Sequence, residues 1–310
     1  MVGNAPIVPP RRAYRSSVWH YTSAAGLTGI LASDAQNQQP ARGVLHATAA
    51  TSLNDLTELR YGVERIKAWY NAAGNGEEGT AAAHLAIRSV LKNLEQSVLA
   101  EPAYVVCASK EGDSLGQWRG YAGDGGYAMR IDTAQEYFIV GQPSSRIGLL
   151  LSPQWVEVAY NSEEQDSIIR EQFDYILDSR SVIGRLIAGE DPKTGVVLVS
   201  GLLSGLAAAL KHPSFKEERE VRLIAFRPTD VIPRFRPSSR GPVPYIQLVP
   251  SIWPSVIEPP RLERLAVDAV RIGPPQGEAA AQRERGVRAL LDATGRTRTQ
   301  ILHSQIPFLP

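Results

Sequence analysis

The sequence predicts an α+β fold: one mixed domain over residues 18–310, behind a flexible leader at 1–17, with helical insertions near 55–101 and 163–211. Three observations predict it. Apolar residues recur at helical spacing through the early chain. Period-two and short apolar runs take over after residue 102. No internal repeat or low-complexity tract divides the sequence. The Pro-rich stretches 227–244 and 250–260 read as loops between strands, not as linkers between domains.

The elements follow in order. A first short strand is expected at 18–21, and a small helix through Leu27, Ile30 and Leu31. The polar stretch 34–43 reads as a turn and 45–51 as a second short strand. Leu56, Leu59, Val63, Ile66 and Tyr70 step by 3, 4, 3 and 4, which puts them on one helical face. Asn54 stands at the N-cap of that helix, with Asp55 and Glu58 in its first turn. The glycine-rich stretch 74–79 breaks it. Ile87, Leu91, Leu94 and Val98 mark the next helix, which Pro102 ends. Strands are expected at 103–109, 127–132 and 155–160, then a helix at 163–187 opened by a capping box of Ser162 and Gln165. An uncharged helix at 194–210 precedes strands at 220–226, 244–249 and 265–272, a helix at 277–293 and a last strand.

Composition narrows the function classes. The 33 Lys+Arg residues nearly balance the 32 Asp+Glu residues, for a formal net charge of +1. That disfavours nucleic-acid binding by bulk electrostatics but leaves room for a local basic patch. A lone Cys107 excludes an intramolecular disulfide framework and a thiolate-cage zinc site, and the five histidines have no metal-ligand spacing. No metal is therefore expected. The N-terminal residues have no apolar core of signal-peptide length, so a cytoplasmic location is expected. At about 1.5 Å per residue, 194–210 falls slightly short of a hydrocarbon core of about 30 Å. Its Gly201, Gly205 and Ala209, spaced by four, fit a buried helix packed closely on a neighbour better than membrane contact.

Four segments carry candidate chemistry, each beside a plain structural reading. His20 and Thr22 share a face of the first strand and flank Tyr21; they can hold the hydroxyls of a ribose, or simply cap the strand end. Asn54, Asp55 and Glu58 can line a cleft, or only cap a helix. The segment 109–121 combines Ser109, Trp118, Arg119 and Tyr121 around Gly116 and Gly120. It suits a flat, partly charged ring, or it tucks its aromatics into the core. Glu218 and Glu220 stand two apart at the mouth of a strand. Extended geometry would put both carboxylates on one face, with Cα atoms about 6–7 Å apart. Such proximity raises at least one pKa, and paired carboxylates serve glycosidic-bond cleavage. The alternative is a charged strand edge, with Glu220 paired to Arg222 or Lys216.

In order, WHYTS, SLNDLTE, CAS, QWRGY, GGYAM, KHPSFKEEREVRLI and VDAVRIGP make a set that resembles a bacterial family filed as domain of unknown function twenty-nine seventy-one, over roughly residues 18–275. More distantly, the layout is similar to the ADP-ribosyltransferase fold, including toxins that modify DNA. That resemblance implies a split antiparallel sheet and NAD as co-substrate. His20 and Thr22 match its ribose-holding element, Ser109 or Tyr121 its nicotinamide side, and Glu218-Arg219-Glu220 its catalytic Glu-x-Glu. It further implies that Glu220 stabilises the sugar cation and Glu218 orients the acceptor, with Trp118 and Tyr121 flanking the leaving ring. The chain departs from that pattern by lacking a Ser-Thr-Ser run. The expected setting is an intracellular toxin or phage-defence effector. Its acceptor would be water, protein or nucleic acid, and an antitoxin or defence-system partner would accompany it. Two other readings stand beside it. One is a non-enzymatic nucleotide or nucleic-acid sensor, with Arg119, Arg222 and Lys216 on phosphate and Trp118 or Tyr121 on a base. The other is a metal-dependent nuclease built on Asp55, Glu58 and Glu220.

Overall fold

The computed structural model describes residues 13–34, 40–53, 56–73, 79–122, 126–142, 152–239, 241–252, 260–274 and 278–307. Its axis is β3 (Tyr104–Ser109), an almost wholly buried apolar run. Along its full length β3 pairs antiparallel with β7 (Glu220–Ala225). The rest of its pairing is divided. β2 (Leu45–Ala49) takes Tyr104 and Val105, while β1 (Ser17–Thr22) reaches only Ser109, through Trp19. Residues 106–108 pair with neither.

Beyond β1 the sheet continues through β4 (Tyr127–Asp132), β11 (Val267–Ile272) and β12 (Gln300–His303). Beyond β2 it continues through β9 (Val243–Ile252) to β10 (Arg261–Leu262). β5 (Glu136–Ile139) and β8 (Arg234–Arg236) also join β9, and β6 (Gln154–Glu157) flanks β7. The described residues thus form one mixed, open sheet in an α+β chain. Every pair is antiparallel except β11 with β12, whose connection carries the helix Glu278–Ala293, as a parallel crossover requires. The fully antiparallel sheet implied by the resemblance is corrected at that edge.

Two cores cover the two faces, and the alternation along β7 shows why. Val221, Leu223 and Ala225 enter one core with α1 (Ala24–Leu31) and residues Val287 and Leu291 of the helix Glu278–Ala293. Ile224 enters the other, built from α2 (Leu56–Ala73), α3 (Ala81–Ala100), α5 (Ser162–Leu177), α6 (Val182–Arg185) and α7 (Pro192–Ala208). The remaining helices are α4 (Leu115–Gln117) and α8 (Glu278–Ala293). The face of α2 that the spacing predicts, Leu59, Val63, Ile66 and Tyr70, is buried.

Several local expectations are corrected. The helix expected over 163–187 stops at Asp178, whose carboxylate accepts from the Arg180 backbone and side chain, and restarts behind the Ser181 cap. Its N-cap is Asn161, which accepts from Glu164 N at 2.8 Å, not Ser162. Gln165 turns inward instead and donates to the carbonyls of Ala159, Tyr160 and Lys211. Residues 13–16 of the leader are pinned: Tyr14 N bonds Trp155 O at 2.9 Å and Ser16 N bonds Thr133 Oγ1 at 2.8 Å. The Pro-rich loop 227–244 contains a three-residue strand, β8. The helix α7, uncharged from Thr194 onward, packs against α2, so close that a Cβ on Gly62 would sit 2.3 Å from Ala207 O. No helix among the described residues is long and apolar enough to cross a membrane.

Candidate active site

A cleft of about 550 Å³ opens where the pairing of β3 is divided. His20, Thr22, His46, Thr48, Cys107, Tyr121, Glu218, Glu220, Arg236 and Tyr245 all line it. A second lobe of about 820 Å³ shares its acidic end and adds Glu58, Lys211, Phe215 and Arg222. The structure therefore brings His20, Tyr121 and both acids of the Glu-x-Glu pair to one place.

His20 sits at the gap. Its Nδ1 lies 2.8 Å from the Cys107 carbonyl, within the stretch that neither β1 nor β2 pairs. A carbonyl only accepts, so Nδ1 carries the proton and Nε2 offers a lone pair. Burial is the main cause that holds the imidazole pKa below its usual value, so the ring is neutral. A neutral ring with Nδ1 fixed can accept a ligand hydroxyl at Nε2. Thr22 lines the same lobe, packed over Gly26, where any Cβ would meet its hydroxyl at 2.0 Å.

Opposite lies a buried cluster of charges. Arg222 is 1% exposed and Glu220 4% exposed. These values make isolated charges untenable, and the partners are present. Arg222 Nε and Nη2 grip Glu220 Oε1 and Oε2, each at 2.8 Å, its Nη1 donates to Ala208 O at 2.7 Å, and Nη2 also bonds Glu58. Lys211 Nζ stands 2.7 Å from Glu218 Oε2 and 3.0 Å from Glu220 Oε2, with Glu58 Oε1 at 3.6 Å. Tyr160 adds its hydroxyl, which accepts from Glu220 N at 2.9 Å. Three carboxylates thus face two cations.

The two acids are unlike. Burial alone would raise the Glu220 pKa, but Arg222 and Lys211 pull it down to about 2. The Glu218 pKa is raised, chiefly by burial and against the pull of Lys211, with Glu220 adding to the rise. Their route together differs from the extended pair expected. Glu218 ends a 3-10 turn (Pro213–Glu218), and Arg219 takes a left-handed φ of 46° before β7 begins. The carboxylates meet because Lys211 draws both, not because they alternate on a strand. Ser109 secures this turn: its hydroxyl donates to Glu218 O at 2.8 Å.

Other expected residues take other places. Trp118 does not line the cleft: its ring is 2% exposed beside Tyr21 and Ala128, and its Nε1 donates to Asp113 Oδ1 at 2.8 Å. Tyr21 does line the cleft between His20 and Thr22, while its hydroxyl bonds Glu111 O and Ser114 N and holds the loop that leads to α4. After α4 a π-helical turn, Trp118–Ala122, adds a residue to the helical repeat and sends Trp118 inward and Tyr121 to the cleft. Arg119 is exposed and lines neither lobe. Glu58 serves the ion cluster, and Asn54 and Asp55 lie outside the described residues. A nuclease metal built on Glu58 and Glu220 would have to displace Arg222 and Lys211. Among the described residues no group of three His, Cys, Asp or Glu side chains is placed to hold a metal.

Sequence reasoning missed Lys211, His46, Thr48, Arg236 and Tyr245. Lys211 had a signal: a cation closing an uncharged buried helix needs acid partners nearby. His46 and Thr48 also share one face of β2, though the strand is too short to declare which face meets a ligand.

A family model described as "Protein of unknown function (DUF2971)" matches residues 117–223, and supports that family for this chain. The match holds the QWRGY, GGYAM and KHPSFKEEREVRL stretches, and therefore Tyr121, Lys211, Glu218, Glu220 and Arg222. No curated protein and no solved structure matches the chain.

Proposed function

We propose that this cleft binds NAD and cleaves its nicotinamide–ribose bond, as an ADP-ribosyltransferase or, with water as acceptor, an NAD glycohydrolase. The reading rests on one observation: His20, Tyr121, Glu218 and Glu220 share a cleft of about 550 Å³. That lies within the roughly 300–1,000 Å³ usual for small-molecule sites. His20 Nε2 accepts a ribose hydroxyl and Tyr121 lies along the nicotinamide ring. When the glycosidic C–N bond breaks, its electron pair leaves with nicotinamide and positive charge grows on the sugar. The excess of carboxylates over cations in the cluster stabilises that charge. The acceptor oxygen or nitrogen then bonds the sugar carbon, and its proton passes to Glu218, whose raised pKa suits a base. Glu220 accepts three hydrogen bonds from Lys211 and Arg222 and a further one from the Cys107 thiol, so it acts as fixed charge beside the sugar.

The setting that suits such chemistry is a cytoplasmic toxin or phage-defence effector. It would act on a protein or nucleic-acid acceptor and be held off by an antitoxin or defence-system partner. A second reading, a nucleotide sensor without turnover, draws on the same ion cluster, because a Glu220 so fully engaged also suits a purely structural role.

Nicotinamide release from NAD by purified protein separates the two. Glu218→Gln is expected to keep NAD binding and to lose turnover by at least about a hundredfold. NAD binding without nicotinamide release selects the sensor, and absence of NAD binding by the wild type overturns the glycosidic reading.

A further inference from the structure

The cleft also carries a cationic donor, Arg236, that the glycosidic reading leaves unused. β8 lies on β9 with Arg234 opposite Tyr245 and Arg236 opposite Val243. Arg236 reaches over the cleft and lines both lobes. One guanidinium N–H is engaged: Nη2 donates to Thr48 Oγ1 at 2.7 Å. The guanidinium carbon stands 5.9 Å from the Tyr245 ring centroid. Among the described residues no carboxylate lies within ion-pair distance of Arg236, whereas Arg222 meets two in the same cleft. An arginine has five N–H donors in a planar fork, so most of this one remains available.

His46 adds a second, independent sign. Its Nε2 is buried without a hydrogen-bond partner, an arrangement that costs stability unless a ligand supplies one. Its ring leans on Tyr245 at 4.7 Å between centroids. Burial, then Arg236 and His20, hold its pKa down to about 4, so the ring is neutral in the empty cleft and free to present Nε2 as an N–H. A guanidinium without a carboxylate partner, an orphan imidazole nitrogen and a threonine hydroxyl thus line one cleft together.

We infer that Arg236, His46 and Thr48 form a subsite for a phosphate group, filled by the diphosphate of a nucleotide whose sugar lies toward Glu218. The source of the phosphate rests on the nucleotide reading of the cleft; the phosphate itself does not. The planar fork offers paired N–H groups to two phosphate oxygens, and the Glu218 and Glu220 carboxylates in the same cleft repel the anion and turn it toward Arg236. A free phosphate, the diphosphate of a dinucleotide and a nucleic-acid backbone share this chemistry, and ligand choice distinguishes them.

Calorimetric titration of the full chain with inorganic pyrophosphate, ADP, ADP-ribose, adenosine and a short single-stranded oligonucleotide tests the inference. Arg236→Gln sits on an exposed strand and is expected to fold normally, as thermal melting will check. It should weaken pyrophosphate, ADP and ADP-ribose by at least about tenfold and leave adenosine within about twofold. Arg180→Gln, at an exposed ion pair on another element, should change none of them. Equal pyrophosphate, ADP and ADP-ribose affinities in wild type and Arg236→Gln overturn the subsite. So does a wild type that binds adenosine but none of the phosphate compounds. Tight oligonucleotide binding lost with Arg236→Gln keeps the phosphate site but replaces the dinucleotide as its source. If pyrophosphate and ADP bind through Arg236 while NAD is never turned over, the subsite stands and the glycosidic reading alone falls.

Discussion

Replacing Glu220 with Gln probes the ion cluster directly. The carboxylate falls from its ordinary pKa of 4.5 to about 2 on folding. At about 1.4 kcal/mol per tenfold change in acidity, that depression is worth about 3 kcal/mol of stability at neutral pH. Because the folded pKa is the lower one, this stability is fully present above pH 4.5 and lost as pH falls through about 2. Glu220→Gln cannot carry the charge at any pH. It leaves Arg222 with Glu58 and the Ala208 carbonyl, and Lys211 with Glu218 and Glu58. The loss should therefore sit at the low end of the roughly 3–5 kcal/mol seen when a buried pair is broken. Urea unfolding of both proteins, followed by tryptophan fluorescence from pH 7 downward, gives the difference at each pH. A gap of about 3 kcal/mol at pH 7 that closes toward pH 2 is predicted. A gap below about 1 kcal/mol, or one that stays constant with pH, would refute the electrostatic account and leave only lost packing.

Four further substitutions test separate parts of the structure. Arg222→Leu leaves Glu220 and Glu58 to share Lys211 alone and should cost about 3–5 kcal/mol in urea unfolding, more than Glu220→Gln. Gly62→Ala places a methyl 2.3 Å from Ala207 O and should cost about 1–3 kcal/mol by prising α2 from α7, read as a lower urea midpoint with an unchanged slope. Trp118→Phe removes the bond to Asp113 and should lower the melting temperature while leaving NAD affinity within about twofold, whereas Tyr121→Ala should weaken NAD without a comparable loss of stability.

Much of the fold is legible because its signals are local. The stripe of Leu59, Val63, Ile66 and Tyr70 declares α2 and its buried face, and the apolar run of β3 declares a central strand. β8 and β10 escape notice because strands of three and two residues carry no period, and their place depends on β9. The site is legible in part for the same reason. His20 and the Glu-x-Glu pair announce unusual chemistry by residue type, and the structure brings them to one cleft. Trp118 and Tyr121 look equivalent in the sequence, yet the π-helical turn between them sends one to the core and the other to the cleft. Arg236 stands 188 residues from its hydrogen-bond partner Thr48, so only the sheet order reveals what it faces. Lys211 shows how burial decides a role. An amine 3% exposed must gather carboxylates, and its gathering of Glu58, Glu218 and Glu220 shapes the acidic end of the cleft.

The central claim is that one cleft holds a dinucleotide with its sugar bond at Glu218. A crystal structure of the protein with an unreactive NAD analogue, in which carbon replaces the ring oxygen of the nicotinamide ribose, tests it most directly. The account predicts nicotinamide beside Tyr121, a ribose hydroxyl at His20 Nε2 and the reacting carbon within reach of Glu218. An analogue bound elsewhere, or bound here with its sugar bond turned away from Glu218, would contradict it.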